Sequence, residues 1–147
     1  MEPTKEFFLS KKIANQNFYM GITALIIGVI FLFLIGNATL FGIGILFTTM
    51  GILNKNLKII KLYPQYLEIK LGIIASKKLI KYDQIVGFSA ENKKMIINYN
   101  TENNGSKKVK FLVKALEKEA IIELDNELKQ KTDLDTIHTF IQTDTKQ

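Results

Sequence analysis

Residues 13–54 form a stretch of 42 positions without one charged side chain, and this stretch constrains the fold more than any other feature. Lysines border it on both sides. These juxtamembrane lysines are Lys11, Lys12, Lys55, Lys58 and Lys61. A charge at the centre of a bilayer costs about 2.5–3.5 kcal/mol on the insertion scale, so a membrane segment excludes charges. The stretch therefore predicts a membrane protein.

The uncharged stretch contains two apolar runs rather than one. Residues 18–35 would span about 27 Å as a helix, and residues 38–53 about 24 Å, against a hydrocarbon core of about 30 Å. Gly36 and Asn37 between them are turn residues. Because every backbone N–H and C=O in hydrocarbon must be paired internally, both runs should be helices. The sequence predicts an antiparallel transmembrane hairpin.

The lysine distribution predicts the orientation of this hairpin. The short loop at Gly36 has no lysine, whereas both flanks are rich in lysine. By the positive-inside rule, both termini are cytoplasmic and the chain is a multi-pass protein of the cytoplasmic (inner) membrane. A cleaved signal peptide is the alternative for the first run. It is disfavoured because no small-x-small cleavage site follows Leu34 and a second apolar run comes directly afterwards.

Small residues recur along the predicted hairpin at spacings that allow close helix contact. They are Ala24, Gly28, Gly44, Thr48 and Gly51. Such spacing serves either self-association of two chains or packing within one hairpin. Packing within the hairpin is favoured, because two helices joined by a two-residue turn must touch.

Residues 57–114 read as short strands separated by turn residues. Between 66 and 71, Leu67, Ile69 and Leu71 alternate with Glu68 and Lys70, which predicts a strand with one buried face. The predicted strands span residues 57–63, 66–71, 73–80, 83–90, 94–100 and 108–114.

The apolar period then becomes helical. The repeating apolar residues are Leu116, Ala120, Ile121, Leu124 and Leu128. They predict one amphipathic helix over residues 115–131. The remaining residues, 132–147, form a polar tail that contains His138.

About six antiparallel strands followed by one helix resemble a pleckstrin-homology-like (PH-like) barrel. The sequences YLEIKLG at 66–72, SKKLI at 76–80 and YDQIVGF at 82–88 resemble the bacterial PH domain family, including membrane-anchored members with a preceding transmembrane hairpin. The resemblance implies an α+β barrel with a terminal helix closing one open end. The predicted organisation is a cytoplasmic tail (1–17), a transmembrane hairpin (18–54), a PH-like domain (55–131) and a polar tail (132–147).

Charge is unevenly distributed in the predicted soluble part. Residues 55–114 contain 13 lysines and 4 acids, a net charge of +9, whereas residues 115–147 contain 4 lysines and 8 acids, a net charge of −4. A lysine near an anionic membrane surface gains about 1 kcal/mol. The candidate lipid contacts are Lys77, Lys78, Lys81, Lys93 and Lys94. An ordinary solvated lysine surface explains the same pattern equally well.

Enzyme chemistry finds little support in the sequence. The chain has no cysteine and one histidine, so thiol catalysis is excluded and zinc would have poor ligands. We expect no cofactor, no metal site and no nucleic-acid partner, because no phosphate loop or nucleic-acid motif occurs. Two functions remain: a membrane-anchored scaffold or adaptor for a protein partner or a second copy, and a module that binds anionic lipid through lysines.

Overall fold

The computed structural model describes residues 2–91, 93–102, 105–132 and 134. The chain divides into two compact units. Leu9–Leu57 form the helical unit, and Met1–Phe8 together with the chain from Lys58 form the sheet domain. The predicted tail, including His138, lies almost wholly outside the described residues.

The helical unit consists of α1 (Lys11–Ile35) and α2 (Thr39–Asn54). Helix α1 ends at Gly36, whose φ of 71° is left-handed and whose N–H donates to the Leu32 carbonyl at 3.0 Å. The Asn37 side-chain oxygen then accepts a hydrogen bond from the N–H of Thr39, the first residue of α2, at 2.9 Å. The predicted turn is therefore where α1 ends and α2 begins, but α1 starts seven residues before the predicted span.

Glycines form the contact between α1 and α2. Gly21, Gly28, Gly44 and Gly51 are buried. A Cβ built on Gly28 would lie 2.5 Å from the Phe41 nitrogen, and one built on Gly44 would lie 2.6 Å from that of Leu25. We call these four residues the glycine seam. Gly21 meets Thr48 and Gly51 meets Phe18, so the two helices run antiparallel. Packing of the small residues within one helix pair is confirmed for Gly28, Gly44 and Gly51.

The remaining surface of the helix pair is apolar and open. Large apolar side chains from Tyr19 to Leu53 are exposed along both helices. Among the described residues, α1 alone is both long and apolar enough to cross a membrane, with a mean hydropathy of 2.6 and 11% of its most apolar window buried. Helix α2 is a shorter apolar helix. The core helix of a soluble protein or a signal sequence can have the same length and composition as α1. A core helix, however, would be mostly buried.

The sheet domain has two antiparallel sheets followed by one helix. Sheet A has the order β1-β2-β3-β4, and sheet B the order β5-β6-β7. The strands are β1 (Lys5–Phe8), β2 (Lys58–Leu62), β3 (Tyr66–Ile69), β4 (Lys78–Lys81), β5 (Ile85–Glu91), β6 (Lys94–Asn100) and β7 (Ser106–Leu112). Helix α3 covers Lys118–Lys131. The predicted class of antiparallel sheets with a C-terminal helix is thus correct at this level.

Strand β1 belongs to the region that the sequence assigned to an N-terminal tail. It pairs antiparallel with β2, with Lys5 opposite Leu62 and Phe7 opposite Ile60. Phe7 is 2% exposed. The α1–α2 pair is therefore inserted in the chain between two neighbouring strands of one sheet. A four-residue strand whose partner lies about 50 residues onward in the chain leaves no local hairpin signal.

The core of the domain draws on both sheets and on α3. Fully buried side chains include Ile60, Leu67 and Ile80 in sheet A and Phe88, Met95 and Ile97 in sheet B. Leu116, Ile121, Leu124 and Leu128 are also buried, which confirms most of the predicted apolar stripe. Burial of each such side chain contributes about 1.5–3 kcal/mol before the entropy cost of ordering.

Further sequence expectations differ from the structure. The helix predicted over residues 115–131 begins only at Lys118, because a 3₁₀ turn covers Val113–Ala115 first. The strand predicted over residues 73–80 begins only at Lys78, because a turn with a hydrogen bond from Ala75 N–H to the Gly72 carbonyl comes first. Glu68, predicted to be outward-facing, is buried beneath Lys77, and Leu71 is exposed instead. Asp125, which is not one of the apolar residues of the predicted helix, is nevertheless buried and paired with Lys129 at 2.7 Å.

Candidate functional site

The candidate lipid-contact lysines lie on two different sheets. Lys77, Lys78 and Lys81 are at or beside β4, the edge strand of sheet A. Lys93 and Lys94 lie at the turn between β5 and β6 in sheet B. No one strand therefore carries the whole set.

Two of the sheet A lysines have acidic partners. The Lys77 Nζ lies 3.3 Å from an oxygen of the buried Glu68, and the Lys81 Nζ lies 3.5 Å from Glu102. An ammonium group that already faces a carboxylate has less net charge to offer an anion. These two lysines are weaker candidates for lipid contact than the sequence indicated.

The lysines that flank the uncharged stretch are also partly engaged. Lys58 lies 2.6 Å from Glu6, and Lys61 lies 3.9 Å from the same carboxylate. Lys55 stands over the Phe18 ring at 4.4 Å, in a cation–π contact. Lys11 and Lys12 are exposed at the start of α1.

Sheet B has a basic outer face. Lys94 pairs in register with Leu112, and Ile96 pairs with Lys110 and Asn98 with Lys108. Residues paired in register share one side of a sheet, so Lys94, Lys108 and Lys110 project from the same side. Val109 and Phe111, which alternate with these lysines, are buried in the core. We call Lys94, Lys108 and Lys110 the basic face.

A groove opens next to the basic face. It has a volume of about 560 Å³. Its apolar lining is Leu112, Val113, Leu116 and Ile121, and its cationic lining is Lys93, Lys114 and Lys118. No acidic side chain among the described residues lines it. We call this the lysine-rimmed groove.

Local backbone structure holds the groove together. Lys93 adopts a left-handed φ of 64°, and its carbonyl accepts a hydrogen bond from the Val113 N–H at 2.9 Å. This bond ties the β5–β6 turn to the 3₁₀ turn Val113–Ala115 that follows β7. Leu116 then extends the chain to α3, which begins at Lys118. Three separate elements thus converge on one opening.

The sequence identified one of the groove's lysines and missed the other two. The sequence makes Lys93 a candidate because it adjoins Lys94. It assigns Lys114 to the strand predicted over residues 108–114 and Lys118 to the helix predicted over residues 115–131. Lys114 and Lys118 are four residues apart in the sequence, on either side of the β7–α3 junction. This spacing indicates a shared site only when the β5–β6 turn is known to lie beside them.

Among the described residues, Lys5 and Tyr82 have displaced pKa values, and both form bonds within the sheet domain. Hydrogen bonds to Glu123 and Glu127, at 2.7 and 2.9 Å, raise the pKa of Lys5, which links β1 to α3. Burial raises the pKa of Tyr82 to about 12, and its hydroxyl donates to the Tyr63 carbonyl at 2.9 Å. Lys5 is therefore held in its protonated form by two carboxylates, and Tyr82 chiefly by its burial.

Within the part of the chain that the structure describes, no three histidine, cysteine or acidic side chains cluster as a metal site would require.

Comparison of the chain with protein-family models, curated proteins and solved structures finds no match. The class is therefore defined by the architecture itself: an apolar helix pair inserted between the first two strands of a two-sheet α+β domain.

Proposed function

We propose that this chain is a membrane-anchored, non-catalytic scaffold or adaptor. In this proposal α1 and α2 form a transmembrane hairpin that holds a PH-like domain at the cytoplasmic side of the cytoplasmic membrane. The domain presents its surface to a protein partner or to a second copy of the chain.

The exposed apolar surface of the helix pair carries the proposal. Only the glycine seam and the helix ends are buried, while isoleucine, leucine and phenylalanine side chains face outward on both helices. In water such a surface would drive aggregation. In lipid it is the normal exterior, and close glycine contacts are how helices associate there.

The strand pairing supports the part of the proposal that places both flanks of the helix pair on the same side of the membrane. Because β1 and β2 lie side by side in sheet A, the chain must leave and re-enter the sheet domain on the same side of any membrane that α1 and α2 cross. A hydrogen bond from the Leu9 N–H to the Leu57 carbonyl, at 2.9 Å, joins the two connecting segments. This argument is independent of the lysine distribution.

The sheet arrangement supports the PH-like assignment. Two antiparallel sheets followed by a C-terminal helix agree with the element order that the resemblance implies. The domain has seven strands rather than about six, and the additional strand is the N-terminal β1 of sheet A.

Cysteine accessibility tests the anchoring, and the chain has no native cysteine to interfere. Ala38→Cys places a thiol at the exposed α1–α2 connection, and Gln130→Cys places one on an exposed position of α3. A membrane-impermeant maleimide should label Ala38→Cys in intact cells and Gln130→Cys only after permeabilisation. Labelling of Gln130→Cys in intact cells, or recovery of the chain in the soluble fraction, would contradict the proposal.

A second candidate function is anionic-lipid binding, and the basic face favours it. Three lysines project from one side of sheet B, next to a groove rimmed by three more. Each could gain about 1 kcal/mol near an acidic membrane surface. The Lys94→Gln/Lys108→Gln/Lys110→Gln variant tests the face: vesicle binding that loses its salt dependence in this variant supports the second function.

A further inference from the structure

We infer that the lysine-rimmed groove binds a single acidic phospholipid, with the anionic headgroup at the lysines and part of an acyl chain on the aliphatic floor. This inference rests on the proposed lipid-binding function and gives it a specific site. It differs from general attraction to a charged surface, because it requires an apolar contact as well as a charge.

The two sides of the groove match the two ends of such a ligand. Leu112, Val113, Leu116 and Ile121 provide an aliphatic floor, and Leu112 is 43% exposed although it ends a strand. The volume of about 560 Å³ lies within the range of about 300–1,000 Å³ usual for small-molecule sites. An acyl segment laid on this floor would remove apolar surface from water.

The charges select an anion. Lys93, Lys114 and Lys118 come from three successive parts of the groove wall, and all three are exposed. No ion pair to another described residue is recorded for any of them. The groove also lies at the amino end of the 14-residue α3, where the helix dipole is positive, and the acidic Glu117 and Glu119 of that end are not among its lining residues.

A lipid fits the lining better than a peptide does. Every side chain that lines the groove is either aliphatic or an ammonium group, so the lining side chains offer no hydrogen-bond acceptor for peptide N–H groups. An acyl chain needs none. A phosphate headgroup is an acceptor, which three lysines can satisfy.

Native mass spectrometry of the full chain in neutral detergent micelles tests the site. The probes are phosphatidylglycerol and phosphatidylcholine with identical acyl chains, added in equal amounts. We expect the phosphatidylglycerol adduct to exceed the phosphatidylcholine adduct by at least about tenfold. The Lys93→Gln/Lys114→Gln/Lys118→Gln variant should bring the ratio close to one.

Two further variants separate a site from overall charge. The basic-face variant Lys94→Gln/Lys108→Gln/Lys110→Gln removes the same number of charges and should retain most of the preference. Leu112→Gln keeps every charge, alters an exposed side chain, and should reduce total adduct formation several-fold. Equal loss in both triple variants, or no effect of Leu112→Gln, would overturn the groove as the site.

The remaining outcomes also decide the inference. If only the basic-face variant loses the preference, the groove is overturned while lipid contact by the face stands. If the wild-type chain shows no preference between the lipids, the groove and the basic face are both overturned as lipid-binding sites. The proposed membrane anchoring is unaffected by that result and is tested by the cysteine labelling. Binding of a soluble peptide of alternating aspartate and leucine, without lipid preference, would assign the groove to a protein ligand instead.

Discussion

The helical unit and the sheet domain bury opposite kinds of side chain. The helix pair buries glycines and leaves isoleucine, leucine and phenylalanine outside. The sheet domain buries those apolar residues and leaves most of its lysines outside. Apolar burial stabilises the domain in water, whereas helices in lipid associate through close backbone contact. If the helix pair lies in a membrane as proposed, the same chain follows two packing rules, and substitutions should have opposite effects in the two units.

The largest effect should come from removing a large side chain in the sheet domain. Phe7→Ala deletes a 2% exposed ring from β1 and should lower the free energy of unfolding by about 3–5 kcal/mol. The neighbouring Phe8 is 47% exposed, so Phe8→Ala should cost far less. Urea titration of the full chain in micelles, followed by tyrosine fluorescence, measures both. Equal costs would mean that β1 is not part of the core.

The next effect should come from adding a methyl group to the helix pair. In Gly44→Ala the new Cβ would lie 2.6 Å from the Leu25 nitrogen, so the helices must separate, at about 1–3 kcal/mol. Gly42→Ala is the matched control, because its Cβ meets nothing within 4 Å and alanine favours a helix. Thermal unfolding of α1 and α2 in micelles by circular dichroism should therefore shift in opposite directions. A shift in the same direction would contradict the glycine seam.

A smaller effect concerns Tyr82. Tyr82→Phe removes the hydrogen bond to the Tyr63 carbonyl and should cost about 0.5–1.5 kcal/mol at neutral pH. The folded pKa of about 12 exceeds the ordinary value of 10.0, so the folded state keeps a proton that the unfolded state releases. The contribution of this retained Tyr82 proton to the free energy of unfolding is therefore complete below pH 10 and is lost as pH rises towards 12.

The pH profile of unfolding isolates this contribution. The wild-type chain should lose more stability between pH 10 and 12 than Tyr82→Phe does. Parallel wild-type and Tyr82→Phe profiles would show that burial does not displace this pKa.

The smallest effect should come from the ion pairs between β1 and α3. Lys5 retains Glu127 at 2.9 Å when Glu123 is changed, and both Lys5 and Glu123 are substantially exposed. Glu123→Gln should therefore cost only about 0.2–1 kcal/mol, and the difference should vanish at high salt. Glu119→Gln, at an exposed position of the same helix, controls for the loss of one charge. A cost that persists at high salt would require a role other than charge pairing.

The sequence predicted those parts of the fold that depend on local periodicity. Val109 and Phe111 alternate with lysines, and Leu124 and Leu128 lie one helical turn apart, so their burial follows from period alone. Glu68 also sits in a regular alternation, but Lys77 folds over it from outside the strand. Periodicity predicts on which face of a strand or helix a residue lies. It does not predict whether another part of the chain covers that face.

The features that escaped prediction depend on contacts between distant residues. Strand β1 is defined by its partner β2, which lies beyond the whole helix pair. The lysine-rimmed groove brings Lys93 beside Lys114 and Lys118 through one backbone hydrogen bond. No local pattern encodes either contact, and this is why the sequence placed the candidate lysines on sheet A as readily as on sheet B.

The insertion of the helix pair between β1 and β2 also sets an order of events during synthesis. Strand β1 emerges first and stays unpaired until residue 62 has been made. In the proposed topology both α1 and α2 cross the membrane. A chain in which only one of them crosses would leave β1 and β2 on opposite sides of the membrane. Sheet A then cannot close, and Phe7 has no core to enter. In the proposed topology, completion of the sheet would therefore act as a check on membrane insertion, and wrongly inserted chains would present an open sheet edge to proteases.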